Sequence, residues 1–273
     1  MCLSGLQARA SDPVLVPPRI TAVGNRKGGV GKTSVTLGLA NALTQLGRRV
    51  CVVDLDPQAD ATDTLQVSGE FDIFDVLYAG ETGTLGQVAV ASTWEGVHVV
   101  PGTQNLARID TENLVGAEMR LRAVLTDSPE LEAFDHVLVD LPPALGRLTL
   151  NGLIAADRIV VVAEPAAYSV RGVSEFLDTV KKVQAASYLN PGLTFDGIIV
   201  NKVSSPVTAE HAFQIEQLRD AFGQDLHEPF LPMRTAMQDS QSAGIPLHRV
   251  GTRGAMILSE RFVEHARRLD GEH

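Results

Sequence analysis

The chain has few cysteines and no long apolar run. Only two of its 273 residues are cysteines, Cys2 and Cys51, so the sequence supports neither a disulfide framework nor a paired-cysteine metal site. No segment approaches the length of a membrane span, and residues 1–18 lack the basic start and apolar core of a secretion signal. We therefore expect a protein of the reducing cytoplasm.

Basic residues are also in deficit. The chain has 23 Lys and Arg against 33 Asp and Glu, a net charge of −10, which argues against a protein coated in positive charge but allows a local basic face. The length and the 44% hydrophobic content suffice for one large α/β domain. We expect that domain over residues 19–273, preceded by a flexible, proline-containing arm over residues 1–18.

Short apolar runs alternate with longer amphipathic segments along the chain. The runs are nearly continuous in Val and Ile, which predicts strands buried on both faces by helices. The fold class is thus α/β, a doubly wound, mostly parallel sheet flanked by helices. The predicted strands are 20–23, 49–53, 97–100, 136–139, 158–163 and 196–201, and the predicted helices lie near 32–46, 104–125, 147–156, 169–189, 208–222 and 256–269. The longest predicted irregular stretches are 54–72 and 82–96.

A glycine-rich segment between the first predicted strand and the first predicted helix has the pattern of a phosphate-binding loop. Its glycines let backbone N–H groups turn toward β- and γ-phosphates, and the following helix adds its positive end. Lys32 is expected along these phosphates, and the Thr33 hydroxyl is expected to ligate Mg²⁺. The predicted nucleotide-binding residues of this segment are Gly28, Gly29, Val30, Gly31, Lys32, Thr33 and Ser34.

A second lysine, Lys27, lies in the first turn of the same loop. An ordinary phosphate-binding loop does not require a lysine there. Two interpretations stay open from the residues alone. Lys27 is either a solvated loop charge or a cation delivered to the phosphates of a neighbouring subunit across a nucleotide sandwich.

Carboxylates follow two of the predicted strands. Asp54 and Asp56 end the strand at 49–53, and Asp140 ends the strand at 136–139, so all three belong to the sheet edge where ligands bind in open α/β folds. We expect Asp56 to orient the attacking water and Asp54 to lie nearer the metal shell. Asp140 has the position of a Walker-B acid that holds Mg²⁺ through water, and residues 141–146 after it are expected to sense the γ-phosphate.

Taken together, Lys27-Gly28-Gly29-Val30-Gly31-Lys32-Thr33, Asp54-Leu55-Asp56-Pro57-Gln58 and Asp140-Leu141-Pro142-Pro143 resemble the ParA/MinD family of deviant Walker A P-loop ATPases, and specifically its ParA (Soj-like) branch. The resemblance runs from about residue 19 to the C-terminus. It implies ATP and Mg²⁺ as cofactors, an ATP sandwich homodimer with Lys27 crossing the interface, and slow hydrolysis stimulated by a ParB-like centromere-binding protein. It further implies non-specific DNA binding, association with the nucleoid, and segregation of a plasmid or chromosome.

The resemblance also implies a base pocket near the C-terminal third. Asn201 lies where the family places an adenine-contacting loop, and Pro232 and Met233 lie in a segment that resembles the second base-contacting one. An ordinary strand end and turn is the alternative at these positions.

Two departures from the family pattern matter. The family commonly has Gly-Asn after Asp-Pro-Gln, whereas this chain has Ala59-Asp60. The family's basic DNA contacts after the adenine-side strand and beyond the second base-contacting proline are also missing, since Ser204-Ser205-Pro206 and Thr235-Ala236 stand there. Candidate substitutes, each with a solvated surface charge as its alternative, are Lys202, Arg219, Arg234, Arg249 and Arg253.

Other functions were weighed on the residues. A MinD-like membrane cycle needs a detachable, basic amphipathic C-terminal helix, but the segment 257–269 is mixed in charge and favours a helix packed on the core, so no membrane partner is expected. An iron-sulfur reductase of the related nitrogenase type would need cysteines after Cys51. A specific operator-binding autorepressor would need a helix-turn-helix module, for which residues 1–18 are too few. A ParA-like ATPase that positions a protein cargo stays open, as does a nucleotide-dependent scaffold.

Overall fold

The computed structural model describes residues 17–80, 85–126 and 128–271. Within these residues the strands form one eight-stranded sheet in the order β3-β4-β2-β5-β1-β6-β7-β8, parallel except for β3. The strands are β1 (Arg19–Gly24), β2 (Val50–Asp54), β3 (Val90–Ala91), β4 (Val97–Val100), β5 (His136–Asp140), β6 (Arg158–Ala163), β7 (Thr194–Val200) and β8 (Leu226–His227). The predicted fold class is confirmed.

Helices cover both faces of the sheet. They are α1 (Lys32–Gln45), α2 (Asp60–Thr64), α3 (Ile73–Ala79), α4 (Leu85–Val88), α5 (Ala107–Thr111), α6 (Arg120–Thr126), α7 (Arg147–Ala155), α8 (Ser169–Ala185), α9 (Ala209–Phe222), α10 (Thr235–Ala243) and α11 (Arg253–Asp270). None of the described helices is long and apolar enough to cross a bilayer. Of the predicted arm, residues 1–16 lie outside the described residues.

Alternate residues of each strand supply two cores, one on each face. In β5, Val137 and Val139 join the core under α7 and α8, whereas Leu138 joins the core under α1 and α11. All three side chains are fully buried. This double burial is the reason that the strands read as continuous apolar runs.

One predicted helix is wrong. Residues 104–125 form two short α-helices and two 3₁₀ turns instead of one helix. Glu112 has extended backbone after α5, and Gly116 has a left-handed φ of 61°. The Arg147 guanidinium donates to the Ile109 carbonyl at 3.4 Å and to that of Glu112, which satisfies groups that a continuous helix would use itself. The apolar period persists across the break, and this hides it from the sequence.

Smaller differences concern short or polar elements. The two-residue strands β3 and β8 are too short to show a periodicity, and α10 is a polar helix with few apolar positions. The stretches predicted as irregular contain the short helices α2 and α4. Residues 82–84 of the second stretch lie outside the described residues.

The C-terminal helix α11 packs on α1, as the mixed charge of residues 257–269 predicts. Phe262 is buried against Gly38, and a Cβ at position 38 would collide with its ring. The Arg19 guanidinium donates to the carbonyls of Leu269 and Asp270 at 3.2 and 2.6 Å, which satisfies the last turn of the helix. The apolar face of α11 is therefore committed to the core.

The packing of α11 buries His265 beside a second imidazole. Its Nε2 lies 2.9 Å from the Pro229 carbonyl oxygen, and its ring stacks on that of His227 with centroids 6.2 Å apart. Burial lowers the pKa of His265 to about 4, because the imidazolium would lose its hydration, and the Pro229 hydrogen bond offsets only part of this. The neutral ring is thus the folded form.

We expect acid to destabilise the fold through His265. Its contribution is fully present above the unfolded-state pKa of 6.5 and is lost as the pH falls toward 4, because only the unfolded chain takes up the proton in that window. The full effect is about 3 kcal/mol. His265→Gln, which keeps a donor for Pro229, should flatten the fall in unfolding free energy between these pH values, measured by urea denaturation. The matched control is His211→Gln in α9, where the half-buried imidazole accepts from the Ser204 N–H at 2.9 Å. Equal slopes for wild type and His265→Gln would contradict the assignment.

Candidate functional site

The segment between β1 and α1 forms a turn whose glycines take conformations that side chains disfavour. Gly29 and Gly31 have φ values of 76° and 88°, and Gly31 directly precedes α1. Val30 is fully buried beneath the turn. Because α1 begins at Lys32, the free N–H groups of its first turn and its positive end face the cradle. The cradle therefore suits an anion.

Asn25 fixes the start of this loop, and the sequence analysis missed it. Its side-chain amide donates to the Val162 carbonyl of β6 at 2.7 Å, and its Oδ1 accepts from the Lys27 N–H at 3.3 Å. The side chain is buried. A polar residue directly after an apolar strand was the only available signal. The bonds of Asn25 tie the loop that carries Lys27 to the neighbouring strand.

Asp140 is held by two hydroxyls of α1. Thr33 Oγ1 donates to one carboxylate oxygen at 2.6 Å, and Thr36 Oγ1 donates to the other at 2.9 Å. Burial and then the nearby Asp54 charge raise the pKa of Asp140, and the two threonine bonds oppose this rise. Thr36 was not predicted, although its spacing of three from Thr33 places both on one helix face. A cation between this carboxylate and bound phosphates would relieve the burial of charge.

The Thr33 and Asp140 pair suits magnesium better than a metal held by protein ligands alone. Within the described ranges, no group of three or more His, Cys, Asp or Glu side chains could enclose a metal ion. Magnesium typically keeps several waters and takes one or two protein oxygens together with phosphate oxygens. A threonine hydroxyl beside a buried carboxylate supplies oxygens of that kind.

Asp54 lies beside Asp140 but is bonded elsewhere. The two are register partners in the β2 and β5 ladder. One Asp54 oxygen accepts from the Thr62 N–H and hydroxyl at 2.9 and 2.7 Å, and the other accepts from the Asp56 N–H at 3.2 Å. Burial raises the pKa of Asp54, while these bonds lower it. The predicted metal-shell residue thus lies beside Asp140, and its carboxylate anchors α2.

Asp56 is the more accessible of the two acids that end β2. It is half-buried, and its Oδ1 accepts from the Gln58 N–H at 3.0 Å. Burial lowers the pKa of Lys32, and the charges of Asp140 and Asp56 offset part of that effect. The structure therefore brings Lys32, Asp56 and Asp140 into one electrostatic neighbourhood at the mouth of the loop.

The predicted base-side residues meet the phosphate loop. The Asn201 amide donates to the Val30 carbonyl at 3.0 Å, and the Lys202 ammonium donates to the Gly29 carbonyl. Pro232 pairs with Val203, and the Met233 N–H donates to the Val203 carbonyl at 2.7 Å. Asn201, Pro232 and Met233 thus lie on adjoining segments. Ser34 faces α10, where its hydroxyl lies 3.4 Å from Gln241 Oε1.

The five candidate DNA contacts fall into different surroundings. Lys202 is engaged with the phosphate loop, and Arg219 pairs with Glu228 at 2.7 Å while it stacks on a phenylalanine ring. Arg249 pairs with Glu95 at 3.6 Å. Arg253 is exposed at the start of α11, and the Arg234 side chain passes beside the adjoining Gly254. Arg234 also donates to the Ser205 hydroxyl at 2.9 Å, so its guanidinium lies between the start of α11 and the segment that follows Lys202.

Lys27 is paired within its own chain. Its ammonium lies 2.8 Å from Glu164 Oε1, directly after β6. The neighbouring Arg26 pairs with Glu175 of α8, which also accepts from Arg171 at 2.8 Å. Sequence reasoning did not predict Glu164, because contacts between two loops have no local pattern.

The sequence of the chain is similar to those of known proteins. The sequence model of a family described as an AAA domain matches residues 18–195. The chromosome-partitioning ATPase Soj of Thermus thermophilus is 37% identical over 227 residues, which cover 83% of this chain and 86% of that protein. The sporulation initiation inhibitor protein Soj of Bacillus subtilis is 30% identical over 255 residues, 91% of this chain and 98% of that protein. The chain belongs to the ParA/Soj family of partition ATPases.

One solved structure similar to this ParA/Soj-family chain contains a bound nucleotide and magnesium. The structure of a cobyrinic acid a,c-diamide synthase of Mycobacterium smegmatis, with bound ADP and magnesium, matches with a TM-score of 0.76 at 29% identity, and the match covers 94% of this chain and 97% of that one. Nucleotide and Mg²⁺ binding is therefore a property of related proteins, and the cradle and the Thr33 and Asp140 pair described above suit both.

We expect Gly31→Ala to lower the free energy of unfolding by about 2–3 kcal/mol. The substitution forces an alanine into a left-handed conformation, and its Cβ would displace the Asn201 amide from Val30. Gly28→Ala is the matched control, because its Cβ would meet only the Pro143 side chain at 4.0 Å, an ordinary contact. Urea denaturation of the nucleotide-free proteins measures both. Equal stabilities would show that the loop accommodates a side chain at position 31.

Proposed function

We propose that this chain is a partition ATPase that binds ATP·Mg²⁺, pairs with a second copy across the nucleotides, binds DNA without sequence preference, and segregates a plasmid or chromosome with a ParB-like partner. The observation that supports it most directly is Lys27 in the same loop as Lys32, beside the Thr33 and Asp140 pair. The Soj protein of Thermus thermophilus, at 37% identity, is more similar in sequence than the diamide synthase at 29%, which favours partition over that protein's activity.

Hydrolysis follows from the residues at the mouth of the loop. Lys32 and the backbone N–H groups of the cradle would stabilise the negative charge that develops on the γ-phosphate. Asp56, half-buried and next to the buried Asp54, would orient the attacking water in line. Bound Mg²⁺ would neutralise phosphate charge, with Thr33 as a direct ligand and Asp140 acting through water. In a single protomer no Lys27 from a second copy reaches the phosphates, so slow hydrolysis is expected until a second copy pairs with it.

Pairing of two copies is supported by the surface around Lys27. Tyr168, 81% exposed with a left-handed φ of 67°, precedes α8 on the loop that carries Glu164. Leu145, 40% exposed, lies on the loop after β5. Both loops leave the carboxyl edge of the parallel sheet, where the nucleotide would bind. Exposed apolar side chains beside a ligand site suit a face that a second copy covers.

We expect Asp56→Ala to accumulate as a dimer in ATP·Mg²⁺ but not in ADP, because it binds ATP and cannot orient water for hydrolysis. Lys27→Ala should bind ATP yet stay monomeric, since the charge that crosses to the partner is gone. Lys32→Ala should lose nucleotide binding. Sedimentation velocity gives the oligomeric state, and titration of a fluorescent ATP analogue gives the affinity. A monomeric Asp56→Ala protein in excess ATP would remove the proposed role of Asp56, and an ATP-dependent dimer of Lys27→Ala would remove that of Lys27.

DNA binding is expected to depend on Arg234 and Arg253. The double substitution Arg234→Ala/Arg253→Ala in the ATP-bound dimer should weaken binding to random-sequence duplex by about tenfold or more, with a shallower salt dependence, because each lost phosphate contact releases about one counterion fewer. Arg219→Ala is the control, since Glu228 already neutralises that side chain. Fluorescence anisotropy at several salt concentrations measures both. A dimer indifferent to DNA would redirect the proposal to a membrane or protein matrix.

A further inference from the structure

Glu164 forms an ion pair with Lys27, the lysine on which the proposed dimerisation depends. Its carboxylate lies 2.8 Å from the Lys27 ammonium of the same chain. The lysine side chain is 35% exposed and that of Glu164 is 20% exposed, so the pair sits at the rim of the site rather than in open solvent. The cation that would cross to a second copy is thus already neutralised in the monomer.

The backbone around Glu164 is fixed by hydrogen bonds, which keeps the carboxylate within reach of the Lys27 loop. The Asn201 N–H donates to the Ala163 carbonyl at 2.7 Å, directly before Glu164. The Glu164 carbonyl then accepts from the Ser169 hydroxyl at 2.6 Å and from the Ala166 N–H at 2.9 Å, which folds the chain into the turn before α8. Asn25 holds the lysine-bearing loop to β6 as well. The pair therefore separates by rotation of its side chains, without movement of either backbone.

We infer that Glu164 is a positioning residue that holds Lys27 in its own protomer and that dimerisation must break this pair. The inference rests on the proposed function, in which Lys27 reaches the phosphates of a second copy. In the monomer the carboxylate is the partner of the ammonium. In the dimer the more highly charged phosphates replace it. Glu164 therefore opposes pairing until the partner's nucleotide is present.

The size of the effect follows from the exposure of the pair. A rim ion pair changes an equilibrium by about threefold, because water competes with it. Two such pairs break in one dimer, so their removal should raise the association constant by about tenfold. A tenfold change in the association constant shifts the protein concentration at which dimers form by the same factor. It leaves nucleotide binding by the monomer unchanged.

Glu175 supplies a matched control. It is a carboxylate that pairs with the neighbouring Arg26, on the helix that follows Glu164. Glu175→Gln makes the same change of net charge beside the same loop but leaves the Lys27 pair in place. A general electrostatic effect would appear in both variants, whereas a specific restraint on Lys27 would appear only in Glu164→Gln.

The experiment is sedimentation velocity of full-length protein across a protein concentration series with saturating AMPPNP and Mg²⁺. Monomer affinity for a fluorescent ATP analogue is measured at concentrations below dimerisation. Glu164→Gln should shift the dimer midpoint to about tenfold lower protein concentration with unchanged monomer affinity and thermal midpoint. Glu175→Gln should match wild type, and Lys27→Ala/Glu164→Gln should stay monomeric because the gain passes through the lysine.

The outcomes separate the two proposals. A wild type that dimerises, together with a Glu164→Gln midpoint equal to it, overturns the role of Glu164 and leaves the proposed function intact. An equal shift in Glu175→Gln also overturns it. A dimer of the double variant removes the proposed role of Lys27 and the inference with it. A wild type that stays monomeric in AMPPNP overturns the proposed function itself, and the inference with it.

Discussion

The parallel pairing of β1 between β5 and β6 is the constraint on which the site depends. Its register sets Val23 opposite Asp140 on one side and Gly24 opposite Val161 on the other. Since parallel strands end at the same edge, the loop after β1 must leave between the acid that ends β5 and the turn that follows β6. Thr33 then reaches Asp140, and Lys27 reaches Glu164, without any long-range adjustment of the backbone. Both contacts therefore follow from the pairing of β1 with β5 and β6.

Two buried carboxylates, Asp54 and Asp140, lie side by side at the carboxyl edge of the sheet. Asp54 and Asp140 are register neighbours with almost no exposed surface, so each raises the cost of ionising the other. The chain resolves this by giving the two acids different partners. Asp54 is satisfied by Thr62 and the Asp56 N–H, whereas Asp140 accepts from the hydroxyls of Thr33 and Thr36 and lies near Lys32. A divalent cation would therefore stabilise the ionised form of Asp140 more than that of Asp54.

The sequence predicted what local patterns encode. Continuous Val and Ile predicted the six longer strands, because burial on both faces restricts residue type. The glycine spacing predicted the turn before α1, because left-handed backbone favours glycine. The long helix at 104–125 was wrong because Arg147, distant in sequence, takes up the carbonyls at the break. Asn25, Thr36 and Glu164 went unpredicted for a related reason. Their partners come from other strands and loops, and only the folded register brings them near.

Ala59 stands where the family pattern has glycine, and the contact between Asp54 and Thr62 offsets the conformational cost of this alanine. The residue has a left-handed φ of 57° directly before α2, a conformation that disfavours alanine by about 1–2 kcal/mol. Asp54 accepts two hydrogen bonds from Thr62 one turn later, and bonds to a charged acceptor are worth about 1.5–3 kcal/mol each. The anchored helix therefore tolerates an alanine where the family pattern has glycine. The same anchoring explains why Asp54, although it lies beside Asp140, has its oxygens committed to Thr62 of α2 and to the Asp56 N–H.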